Sequence, residues 1–170
     1  EGTKASDLKE KLLSNEYLSG KVPILKEGIY KPDTYHFKYG FSRIKLLKRM
    51  KSAQNKILDD VWSSKNKAIK IKDKNKLLIL ASIIQSETSS FKDSQLVASV
   101  FINRLNKKMK LQSDVTLAYG LNLNGKHLTR DMLKSSHPFN TYFFKGLPPS
   151  PISYPGVNAM NALKYFKKTD

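Results

Sequence analysis

This 170-residue chain predicts an α+β domain that is mostly helical in its core and carries a few short strands. Apolar residues recur at helical spacing in several separate runs. From Met109 onward, by contrast, polar and apolar groups interleave through Leu111-Gln-Ser-Asp-Val-Thr-Leu-Ala-Tyr-Gly120, the pattern of a short strand or an extended loop. A third stretch, from Ser136 to Gly156, holds too much proline and glycine for regular structure and is expected as a stiff, long loop.

Taken in order, Ser6 or Asp7 caps a short helix through Leu8, Leu12 and Leu13 toward Tyr17, which Gly20 and Pro23 end. Glu27 to Tyr35 is turn-rich, since Gly28, Pro32 and Asp33 all favour turns. Ser42 reads as the cap of a helix whose stripe is Ile44, Leu47, Met50, Ile57, Leu58 and Val61, closed by Trp62. The lysine-dense tract Lys65 to Lys76 is expected as a solvated linker. An apolar helix then runs from Leu77 to Glu87. Asp93 or Ser94 caps its partner, which turns Leu96, Val97, Val100, Phe101 and Leu105 inward and carries Asn103 and Arg104 near its far end. The two are expected to pack as a hairpin that keeps Glu87 near the turn. A brief helix over Thr129 to Leu133 and a last one from Asn158 to Phe166 complete the chain, and no internal repeat is visible.

The length accommodates one domain with a proper core. Because the first residue is Glu1 rather than Met, a fragment or a processed form is expected, which leaves room for a removed upstream targeting segment. No apolar run approaches the roughly twenty residues that span a bilayer. The absence of cysteine excludes disulfides, thiolate metal sites and a cysteine nucleophile. His36, His127 and His137 do not pair at metal-ligand spacing, so neither metal nor cofactor is expected. A formal charge of +17 predicts an anionic partner, yet no zinc-finger, RNP or helix-turn-helix signature points to nucleic acid.

The chemistry is sought among the carboxylates. Leu80, Ile83 and Ile84 precede Glu87 by seven, four and three residues and so share its helical stripe. A carboxylate flanked by apolar side chains loses hydration, which favours its neutral form and suits it to act as a general acid. The plainer reading is a solvated glutamate at a helix end. From Leu77 onward the other acids are Asp93, Asp114, Asp131 and Asp170. Asp93 and Asp131 fit helix starts and Asp170 is terminal, which leaves Asp114 as the natural second carboxylate or as a turn residue bonding nearby amides. The proline-rich loop with Asn140, Thr141 and Tyr142 is a plausible substrate wall or an unliganded connection.

Several blocks, in order, carry a family resemblance. Glu27-Gly-Ile-Tyr-Lys-Pro-Asp-Thr-Tyr35, Leu80-Ala-Ser-Ile-Ile-Gln-Ser-Glu-Thr88, Val100-Phe-Ile-Asn-Arg-Leu105, Leu111-Gln-Ser-Asp-Val-Thr116 with Tyr119-Gly120, Phe139-Asn-Thr-Tyr142 and Gly146-Leu-Pro-Pro-Ser-Pro-Ile152 are together similar to the MltG, or YceG-like, family of endolytic murein transglycosylases. The chain departs from the family's usual residues at Gln85, Val115, Phe139 and Ser150, and a family block expected after Lys167 is missing. The resemblance implies an N-terminal linking element over residues 1–26 and a catalytic domain over residues 27–170, truncated at its end. It also implies cleavage between N-acetylmuramic acid and N-acetylglucosamine to leave a 1,6-anhydro end, with Glu87 as both acid and base. Gln112, Asp114, Asn140, Thr141 and Tyr142 would then serve the substrate. By analogy, the spaced elements resemble those of lysozyme-like transglycosylases. Implied partners are peptidoglycan strands, cell-wall synthases and a membrane reached through an absent N-terminal helix, with the protein on the extracytoplasmic face. The alternatives left open are a hydrolase using Glu87 and Asp114, and a non-catalytic module for glycan or another anionic polymer.

Overall fold

The computed structural model describes residues 4–123 and 127–167, so the outer ends of the two expected segments, including Asp170, lie outside the described residues. Six helices occur among them: α1 (Ala5–Ser14), α2 (Arg43–Ser64), α3 (Lys74–Glu87), α4 (Phe91–Asn106), α5 (Asp114–Gly120) and α6 (Val157–Tyr165). Two strands, β1 (Leu18–Ser19) and β2 (Phe41–Ser42), pair in parallel with Leu18 opposite Phe41 and Ser19 opposite Ser42. The mostly helical α+β architecture is therefore as expected, but the strands lie in the N-terminal part rather than near Leu111.

Helix α3 is the centre of the molecule. Asp73 caps it by accepting from the Asn75 amide at 2.8 Å, and every residue from Leu77 to Ile84 is buried. A helix that is apolar on all sides must be covered on all sides. Here α2, α4, α5 and α6 do so, and α6 also packs on α2 and α4. Ala98 and Ile102 of α4 and Ala159, Met160, Ala162 and Leu163 of α6 share this core with α3. Truncating one of its fully buried leucines costs about 2–5 kcal/mol in comparable cores. A second cluster joins Leu8 and Leu12 of α1 to Leu18, Tyr30, Leu46, Leu47, Met50 and Tyr154. The Arg43 guanidinium fastens this end by donating to the carbonyls of Leu12, Asn15 and Gly20 at 2.6–3.0 Å.

Several sequence expectations are corrected. Ser90 caps α4, accepting weakly from the Asp93 amide at 3.4 Å, and Asp93 stands inside the first turn. Leu96 and Val100 are exposed, because α4 turns Ser94, Ala98, Ser99, Phe101 and Ile102 inward. The stripe was misread because small residues make the contact, and small residues let helices approach closely. Leu111 to Gly120 is not a strand. Alternating burial through Leu111, Gln112, Ser113 and Asp114 is real, but it belongs to the extended approach to α5, where Thr116 and Leu117 turn inward. The brief helix expected over Thr129 to Leu133 is a single 3-10 turn at Met132–Lys134.

The lysine tract is no linker either. Asn66 donates to the Phe166 carbonyl and its amide to that of Leu163, Asn106 Nδ2 holds the Ala68 carbonyl at 2.8 Å, and Ile69 is buried. Its last residues, Lys74 to Lys76, form the first turn of α3.

The proline-rich loop is seated on the polar edge of α3. Ser82 Oγ accepts from the Ile152 amide at 3.0 Å, the Ser82 carbonyl accepts from Ser153 Oγ at 2.9 Å, and Gln85 Oε1 accepts from the Gly156 amide at 2.8 Å. On the loop's other side Gly28, at φ +81, abuts Pro151, where a Cβ would stand 2.7 Å from the ring. Gly28→Ala therefore combines left-handed strain with overpacking, and urea unfolding should show a loss of about 2–4 kcal/mol. Nearby, burial pushes the Glu27 carboxyl up from 4.5 to about 7, partly opposed by the hydrogen bond it accepts from the Ala5 amide. A carboxyl whose pKa is raised by folding stabilises the protein fully below the unfolded value and loses that contribution as pH rises through about 7. Unfolding free energies from urea titrations at pH 5 and pH 8 should thus differ by about 1–2 kcal/mol in favour of pH 5, and the difference should shrink in Glu27→Gln.

Candidate active site

Three separated segments build the site. Glu87 is the last residue of α3 and Ser113 is the residue that enters α5. Ser113 makes no side-chain cap to α5; its hydroxyl instead donates to Glu87 Oε1 at 2.6 Å. The Ser113 backbone is held in turn, its amide donating to Thr141 Oγ1 at 3.0 Å while its carbonyl accepts from Thr116 Oγ1 at 2.8 Å. Thr116 and Thr141 hydroxyls also meet at 2.9 Å. Ser113, Thr116 and Thr141 are all buried, so this hydroxyl network is a rigid platform beneath a carboxylate that itself is exposed.

That exposure corrects one expectation. Leu80, Ile83 and Ile84 are wholly buried along the same stripe, yet they do not enclose Glu87, because the helix ends there and the stripe runs out of protein. A fixed hydroxyl, rather than an apolar pocket, holds the carboxylate.

The other expected site residues divide into surface and support. Tyr142 donates from its hydroxyl to Asp114 Oδ1 at 2.5 Å. Burial and this bond, joined by the negative charges of Asp114 and Glu87, push the Tyr142 hydroxyl up to about 12, so it remains a proton-bearing donor throughout the neutral range. Asp114 opens α5, where a negative charge meets the positive end of the helix. Gln112 is exposed and sits at φ +51, a left-handed conformation uncommon for a residue with a Cβ. Its amide donates to the Thr141 carbonyl at 3.1 Å, which fixes that strained turn.

Asn140 and Thr141 lie under the site rather than on its face. Asn140 is fully buried, and its side-chain amide donates to the Leu133 and Ser135 carbonyls at 3.0 and 2.7 Å while its oxygen accepts from the Tyr142 amide at 3.0 Å. Its capacity is spent on the loop. Any effect of these two residues on a substrate passes through Tyr142, Gln112 and Ser113.

Ser113 and Thr116 were missed as site residues, and Arg104 was left open between a surface role and a functional one. The signal for the first two was available, since Ser113-Asp-Val-Thr116 has the residue types of a helix start. Arg104, at the end of α4, donates to the Leu111 carbonyl and lies close enough to Tyr142 for its charge to oppose the upward shift. Phe139, where the resemblance anticipates tyrosine, packs between Tyr119 and His137 at 5.3 and 5.9 Å. Gly120 leaves room for that cluster, as a Cβ there would meet the His137 ring at 2.5 Å.

A single glutamate at a helix end, braced by hydroxyls from two other segments and faced by a tyrosine–carboxylate pair, defines a class: a helical domain with one candidate acid–base group on an open surface. The whole chain, residues 1–170, matches the YceG-like family, and the protein belongs to that family. It is 33% identical over 161 residues to the endolytic murein transglycosylase of Bacillus subtilis, covering 93% of this chain and 44% of that protein. The protein of the same name from Streptococcus pneumoniae strain D39 is 32% identical over 150 residues, 85% of this chain and 27% of its own length. The chain thus spans less than half of these relatives. A crystal structure of a yceG-like protein from Listeria monocytogenes superposes with a TM-score of 0.70 at 34% identity, covering 84% of this chain and 46% of that one.

Two substitutions should separate chemistry from support. Ser113→Ala should keep the fold while lowering turnover about 10- to 100-fold, because the carboxylate loses its anchor. Asn140→Ala should instead lower stability by about 2–3 kcal/mol, since it strands two backbone carbonyls. Thermal unfolding and turnover, measured side by side, check both.

Proposed function

We propose that this protein is an endolytic murein lytic transglycosylase whose acid and base are both Glu87. The observation that carries this reading is the Ser113–Glu87 hydrogen bond in a family whose curated relatives are named for that activity. Protonated Glu87 gives its proton to the glycosidic oxygen between N-acetylmuramic acid and N-acetylglucosamine. As that bond breaks, the muramyl C6 hydroxyl attacks C1, and Glu87, now ionised, takes the hydroxyl proton. The internal nucleophile closes a 1,6-anhydro ring, so no water and no second catalytic carboxylate are required. This agrees with Asp114 being engaged by Tyr142.

In this scheme the Ser113 hydroxyl fixes one carboxylate oxygen and with it the direction of the other. Gln112 offers hydrogen-bond donors to the sugar, Tyr142, whose proton is held by Asp114, offers its hydroxyl oxygen as an acceptor, and Asn140 and Thr141 act as positioning residues. The site of action is the cell envelope, on the extracytoplasmic face, where cutting a nascent strand would release it from the synthases that extend it. None of the described helices is long and apolar enough to cross a membrane.

Mass spectrometry of digested glycan strands tests the reading. The wild type should generate 1,6-anhydro ends, and Glu87→Gln should lower their rate by about 10²–10⁴-fold. New reducing ends without anhydro ends, or full activity in Glu87→Gln, would refute it.

A further inference from the structure

The lysine tract has a place in the fold that the proposed chemistry does not use. Within residues 68–72 the side chains alternate, with Ile69 buried and Ala68 and Ile71 packed on the core, while Lys70 and Lys72 point outward. Across from them stand Lys76 of α3 and Lys145 of the proline-rich loop. Together these lysines rim a cleft of about 700 Å³ whose remaining wall includes Ile71, Ile79, Leu105 and Leu147. That volume is in the range of roughly 300–1,000 Å³ typical of ligand sites. No carboxylate lines the cleft, and none of its four lysines forms an ion pair among the described residues. Lysines elsewhere do find acids, as Lys74 does with Asp59 at 2.5 Å and Lys164 with Asp60 at 2.9 Å. The cleft is also braced, because Asn106 holds the Ala68 carbonyl.

An unneutralised basic rim above an apolar floor complements an anionic ligand with small apolar side chains. The cleft shares two chain segments with the candidate active site. Lys145 follows Tyr142 by three residues, and Leu105 adjoins Arg104, which holds the Leu111 carbonyl. In murein, the muramyl sugar carries an acidic, alanine-rich stem peptide beside the bond to be cut. We propose that this groove binds the stem peptide of the substrate, its carboxylates against Lys70, Lys72, Lys76 and Lys145 and its methyl groups against Ile71, Ile79, Leu105 and Leu147. The proposal rests on the murein reading of the site, and it makes the peptide a determinant of which strands are cut.

The test compares murein strands that retain their stem peptides with the same strands stripped by an amidase. Wild-type protein should favour the peptide-bearing strands about tenfold through KM, and added salt should erode the preference. The triple variant Lys70→Glu, Lys72→Glu, Lys145→Glu should lose it. A charge-matched control on the exposed face of α2, Lys48→Glu, Lys51→Glu, Lys56→Glu, should keep it. Equal KM values for both strand types in the wild type, or a preference that survives in the groove variant, overturns the proposal. So does a groove variant that keeps its strand preference but loses binding to phosphatidylglycerol vesicles, which would make the cleft a lipid site. Should the wild type give anhydro ends from neither strand type, the catalytic reading falls separately. The groove is then judged by binding to Glu87→Gln, where about tenfold weaker binding of stripped strands supports it and equal binding overturns it.

Discussion

Seating an irregular loop against an apolar helix is possible only if the backbone groups at the contact find partners, and Ser82 meets that constraint for this molecule. It is fully buried within α3, its hydroxyl donates to the Ile79 carbonyl at 2.7 Å and accepts from Ile152, and its carbonyl receives both Ser86 and Ser153. Gln85 extends the seam to Gly156. The loop that carries Tyr142 is stiffened by its prolines, so fixing it at residues 152–156 helps set the course of residues 140–150 as well. The platform under Glu87 thus depends on a polar edge that interrupts an otherwise apolar helix.

Electrostatics follows the same division between what is spent and what is left open. Asp59, Asp60 and Asp131 neutralise particular lysines, Asp73 caps α3, and Asp114 is committed to Tyr142. Glu87 receives a neutral hydroxyl instead of a cation. A serine bond fixes the direction of the carboxylate without adding a counter-charge beside it, as a lysine partner would. That geometry suits the role proposed for Glu87, in which one carboxylate gives a proton and takes one back.

Much of this was legible in the sequence. The start of α2 at Ser42, the periodicity of α2 and α3 and the position of Glu87 at the α3 terminus follow from local rules that operate within a turn or two. What failed shares one cause, which is long-range contact. Ile69 is buried because the Asn66 and Asn106 side chains pin a lysine-rich segment that composition alone marks as solvated. Asn140 has the residue type of a ligand-binding amide, but tertiary contacts turn it inward. Leu96 and Val100 have the right spacing for a core, yet the small side chains on α4 decide which face meets α6. The pairing of Ser113 with Glu87 joins residues 26 apart, a distance at which spacing carries no information.

That separation has a consequence for the life of the protein. Glu87, the Leu111–Thr116 approach and the Asn140–Tyr142 turn come together only when the loop has docked, and the contacts that dock it link residues about 70 positions apart in the chain. Closing so long a loop comes late in folding, after the local α3–α4 hairpin can form. A ribosome-bound or partly opened chain therefore holds its glutamate with no platform beneath it. The geometry of the proposed acid–base group is thus a property of the complete fold and of no local piece of it.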